Sequence, residues 1–74
     1  NPETSIEYTL PQSGDVIMIV YNLLGEEVSR LVNKHQKSGF HKVTWSASKL
    51  ASGIYFYRLQ AGDFVQTRKM VLLK

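Results

Sequence analysis

The chain has 74 residues, no cysteine, and nine basic against six acidic residues for a net charge of +3. No disulfide or thiolate metal site can supplement so small a core, and no apolar run approaches the roughly 18 residues of a membrane-crossing helix. The basic residues are scattered, with Arg68-Lys69 the longest run, so they read as a solvated surface and not as a phosphate-tracking stripe; nucleic acid is not an expected partner.

In chain order, Asn1-Pro2 stands where an initiator Met would be. The expectation is a piece of a longer protein whose leader, if it has one, lies upstream. Ile6, Tyr8 and Leu10 alternate with Glu7 and Thr9, the period of a half-buried strand. Pro11 to Asp15 is a cluster of turn formers. Val16 to Tyr21 is a continuous apolar run whose length and β-branched content predict a strand. Ile17 and Ile19 lie opposite Val16, Met18 and Val20, so they are either covered or form a patch for a partner or for self-association. Asn22-Leu23-Leu24-Gly25 suits a type I turn with Gly25 at positive φ.

A strand from about Glu26 to Asn33 follows, although Val28, Leu31 and Val32 sit at helical spacing. Lys34 to Gly39 reads as a loop. From Phe40 to Ser46, His41, Val43 and Trp45 alternate with Phe40, Lys42 and Thr44. Ala47 to Gly53 is a connection with room for one helical turn. Ile54 to Gln60 and Phe64 to Leu73 are strands joined by a tight turn at Ala61-Gly62-Asp63. Strands at this spacing predict an all-β fold, a small immunoglobulin-like β-sandwich of six to seven mostly antiparallel strands, with residues 1–74 as one domain.

Catalytic chemistry is poorly provided for. His35 is expected in a loop and His41 on a strand, neither at metal-ligand spacing. Glu26 and Glu27 are adjacent, so on a strand they face opposite ways, the wrong geometry for paired acid–base work. No serine sits in a nucleophile elbow and no glycine-rich loop precedes a helix. The expectation is no enzyme, no cofactor and no metal. The aromatic residues leave one alternative open: Trp45, Tyr55 and Tyr57, if exposed and coplanar, could stack on sugar rings as in an accessory polysaccharide-binding module. If buried, they are core, with the tyrosine hydroxyls at its rim.

Four blocks carry a resemblance. Val20-Tyr21-Asn22-Leu23-Leu24-Gly25-Glu26-Glu27-Val28 resembles a "vYnllGreV" hairpin, and His41-Lys42-Val43-Thr44-Trp45 an "h.vtW" strand. Leu50-Ala51-Ser52-Gly53-Ile54-Tyr55-Phe56-Tyr57-Arg58-Leu59 resembles "LasGvYfYrL", and Thr67-Arg68-Lys69-Met70-Val71-Leu72-Leu73-Lys74 resembles "tkKmvllk". In this order they are similar to the type A C-terminal sorting domain of type IX secretion, itself related in sequence to the immunoglobulin-like domain of the flagellar hook-capping protein. The opening Asn1-Pro2-Glu3-Thr4-Ser5 departs from the family's "NPFNPST".

The resemblance implies the export address of a larger protein from a Bacteroidetes-type bacterium. An upstream cargo domain would occupy the same chain. An outer-membrane secretion translocon would read the address, and a surface sortase could then remove it. The destination would be the cell surface or the medium, by way of the periplasm. The motifs single out Tyr21, Gly25, Trp45, Gly53, Tyr55 and Tyr57 as structural positions. The terminal strand, Lys69, Met70, Val71, Leu72, Leu73 and Lys74, is the expected partner-recognition segment, because a strand apolar on both faces is either doubly buried or an edge that can pair. A structural immunoglobulin-like spacer is the remaining alternative.

Overall fold

Alternating and continuous apolar runs become six strands and no helix in the computed structural model, which describes residues 3–46 and 50–73. The strands are β1 (Glu3–Leu10), β2 (Gly14–Tyr21), β3 (Glu27–Gln36), β4 (Gly39–Ser46), β5 (Gly53–Ala61) and β6 (Phe64–Leu72). Every pairing is antiparallel. One sheet has the order β3-β2-β5-β6 and the other contains β1 and β4. The result is a small β-sandwich, as the turn spacing predicts.

The core lies between the sheets. Ile6, Tyr8 and Leu10 of β1 and Trp45 of β4 meet Val16, Met18 and Val20 of β2, with Tyr55, Tyr57 and Leu59 of β5 and Leu72 of β6. The continuous apolar run is the central strand β2, paired on both edges, and three of its side chains are wholly buried. With only two strands opposite four, the second sheet covers the larger one incompletely. The Cα envelope measures 34 × 23 × 16 Å.

Three local readings are corrected. First, the Lys34–Gly39 loop is shorter than expected: β3 runs on through Gln36, with Lys34, His35 and Gln36 opposite Val16, Asp15 and Gly14. His35 is therefore on a strand, its Nδ1 3.3 Å from Asp15 Oδ1. An edge strand tolerates such polar residues because one flank faces water.

Second, the helical spacing of Val28, Leu31 and Val32 has a β explanation. The β2–β3 register slips between Met18 and Ile19 and again between Val20 and Tyr21. Leu31 and Val28 are the extra residues of two bulges, each of which resets the alternation. Third, of the two alternatives for Ile17 and Ile19, coverage by another strand is not found among the described residues. They are half-buried on the outer face of the larger sheet, where Asn33 and Gln60 flank Ile17, and Arg30 and Arg58 flank Ile19.

Turns follow the expected chemistry. Gly25 takes φ +82°, and its N–H donates to the Asn22 carbonyl at 3.0 Å. Gly62, at φ +61°, is the first central residue of the two-residue β5–β6 loop, the position glycine holds in a II′ turn. The Ser38 N–H donates to Ser13 Oγ at 2.9 Å, tying the β3–β4 turn to the β1–β2 turn. The helical turn expected within Ala47–Gly53 falls partly on residues 47–49, outside the described residues, as do Asn1 and Pro2.

Candidate functional site

Strand β6 lies at the edge of the larger sheet, paired only with β5. Its alternation divides the predicted recognition segment. Met70 and Leu72 face the core; Leu72 is 2% exposed and Met70 packs against the buried cluster. Lys69 and Val71 face outward, opposite Phe56 and Ile54 of β5. Val71 is 59% exposed, and Leu73, just past the strand, 75%. Lys74 lies outside the described residues. The segment is thus an inward anchor, Met70 and Leu72, alternating with an outward surface, Lys69, Val71 and Leu73.

The motif positions fall into two groups. Trp45, Tyr55 and Tyr57 are buried. The Trp45 and Tyr55 rings meet edge to face, with centroids 5.6 Å apart and planes at 73°, and the Tyr55 hydroxyl donates to the Ala51 carbonyl at 2.8 Å. Buried, non-coplanar rings offer no platform for a sugar. Gly53 starts β5 at φ +153°. Tyr21 is half-buried beside Phe56 on the outer face, and Gly25 closes the β2–β3 hairpin.

That hairpin holds what the sequence reading missed. Asn22 organises the turn. Its side-chain Oδ1 accepts from the N–H groups of Leu24 and Glu26 at 2.9 and 3.0 Å, and its Nδ2 donates to Glu26 Oε1 at 2.9 Å. The Asn22 N–H donates to the Glu26 carbonyl at 3.0 Å. The two central residues of this well-tied turn are leucines, and they are 65% and 83% exposed. The signal was present in the sequence: apolar residues at the centre of a type I hairpin turn point away from both sheets.

Electrostatic perturbation is slight. Among the described residues no charged side chain is buried. Burial pushes the Tyr8 hydroxyl above the ordinary tyrosine value, against the smaller opposing effect of its hydrogen bond to Gln36. His41 stacks on Tyr8 at 5.4 Å, and its Nε2 lies 2.7 Å from the Lys37 carbonyl. Shallow depressions are found among the described residues. One, of about 640 Å³, lies between the β1–β2 and β5–β6 turns and carries Asp15 and Asp63. Another, of about 430 Å³, lies between β1 and β6 and carries Gln66 and Arg68. Among the described residues, no three metal-ligating side chains converge.

A family model described as "Secretion system C-terminal sorting domain" matches residues 1–73. No curated protein and no solved structure matches the chain significantly.

Proposed function

Because this chain belongs to the secretion system C-terminal sorting domain family, we propose that the outward residues of its last strand, Lys69, Val71 and Leu73, together with Lys74, form a surface that the secretion machinery reads. The domain is a C-terminal sorting signal for type IX secretion. It marks a protein for export through the outer membrane to the cell surface or the medium. It acts through the type IX machinery and on behalf of an upstream cargo region. Domains of this family are in general not catalytic, and we read the role of this one as recognition alone.

The observation that carries the reading is the split character of β6. Met70 and Leu72 fasten the strand to the core, so Val71 and Leu73 are held outward on an edge. The strand is blunted in its middle by Arg68 and Lys69, as edge strands commonly are, but not at its end. An edge with such an end suits strand addition by a partner.

Residues 1–74 are taken as one domain of a longer exported protein, which a surface sortase could detach after export. Tyr21, Gly25, Trp45, Gly53, Tyr55 and Tyr57 then serve to build the fold that presents the signal. Self-association is a second use for the outer face around Ile17 and Ile19, because among the described residues no sheet lies opposite its half-buried apolar side chains. Sedimentation over a range of concentrations tests it.

The export test fuses residues 1–74 behind a signal peptide and a reporter in a bacterium with an active type IX pathway. Deleting Met70 to Lys74 is a poor probe, because it also removes buried Leu72 and would unfold the domain. Val71→Ser with Leu73→Ser keeps both anchors. The expected result is a folded fusion that accumulates in the periplasm; unchanged export of this variant refutes the assignment of the surface to β6.

A further inference from the structure

Five of the seven large apolar side chains exposed among the described residues gather at one end of the larger sheet: Leu23, Leu24, Ile54, Val71 and Leu73. The register shows why. Tyr21, Phe56 and Lys69 form one cross-strand row, and Ile54 pairs with Val71 two residues further on. The β2–β3 turn, which begins one residue past Tyr21, and the end of β6 therefore lie at the same end of the larger sheet.

We propose that the Leu23-Leu24 tip is a second recognition element, which inserts into an apolar groove with a basic rim on a protein of the secretion machinery. The inference rests on the sorting reading and extends it to a part of the domain remote in sequence from the C-terminal strand. Two arguments support it. The exposure of the leucines is built in, since five hydrogen bonds among Asn22, Leu24, Gly25 and Glu26 fix the turn. A partner that receives a pre-formed tip loses little entropy in ordering it.

The second argument is charge. Glu26 and Glu27 follow the leucines, residues 22–27 contain no basic side chain, and Arg30 on β3 lies 3.3 Å from Glu27. The hairpin therefore carries an excess of negative charge. Loops that lodge in anionic membranes carry the opposite sign. A tip-to-tip contact between two copies would set the same carboxylates against each other. A protein groove rimmed by lysine or arginine satisfies both the leucines and the glutamates.

The test uses the same reporter fusion, comparing the unaltered domain, Val71→Ser/Leu73→Ser and Leu23→Ser/Leu24→Ser. The tip variant is expected to melt like the unaltered domain, because neither leucine is buried, and to export about tenfold less or worse. A photo-crosslinking residue at position 24 of an exporting fusion is expected to trap an outer-membrane secretion protein. Normal export of the tip variant overturns the proposal, as does a crosslink found only to lipid or to a second copy. If the unaltered fusion itself stays in the periplasm, the sorting reading fails and the tip proposal falls with it. If only the tip variant exports normally, the tip proposal fails alone.

Discussion

Tyr8 shows how much a single side chain carries in a sandwich this thin. Its ring is buried between the sheets, one face against His41, and its hydroxyl reaches across to donate to Gln36 on β3. The bond links the smaller sheet to the larger. Its loss in Tyr8→Phe should cost about 1 kcal/mol, read as a lower urea midpoint with an unchanged slope. The same residue sets an alkaline limit. Burial raises the folded-state pKa above the unfolded value of about 10, so the neutral hydroxyl is favoured in the fold. Its stabilising contribution is whole below about pH 10 and is lost as pH climbs from there through the raised folded value. Tyr8→Phe should therefore flatten the fall in stability expected above about pH 10. An equal fall in both proteins would count against this account.

The hairpin between β2 and β3 is a case where the element was readable and its purpose was not. Asn22 and Gly25 announce the turn by residue type alone. Gly25 at φ +82° has open space where a Cβ would go, so the demand for glycine comes from the backbone and not from crowding. Gly25→Ala should cost about 1–2 kcal/mol, the penalty of a left-handed conformation for an L-residue with a side chain, measurable as a lower thermal midpoint. The strand that follows was harder to read. Its two bulges place Val28 and Leu31 toward the core without regular alternation, and the pattern that results imitates a helix. Its end carries no apolar signal because Lys34, His35 and Gln36 are polar, and an edge strand need not be apolar. β6 was legible as a strand but not as a split surface; only the register separates Met70 and Leu72 from Val71 and Leu73. The exposure of Leu23 and Leu24 is not legible from alternation, which counts apolar residues as core and has no rule for a turn.

For the molecule as a whole, everything depends on one small core. Roughly 4–11 kcal/mol of total stability is the usual range for 74 residues. Trp45 fills the space between β4 and β5, and Trp45→Ala should remove about 3–5 kcal/mol, enough to leave a substantial fraction of the domain unfolded at 37 °C by circular dichroism. The pairing of β1 with β4, Glu3 opposite Ser46, joins residues far apart in sequence, so folding belongs in the slow range of β-sandwiches.

The small outline and the absence of cysteine together set a gauge for transit. Moving along its long axis, the folded domain presents a Cα cross-section of 23 × 16 Å, before side chains are added. An opening wider than this lets the address pass as a finished shape. A narrower one must strip it to a strand, and no covalent tie would resist.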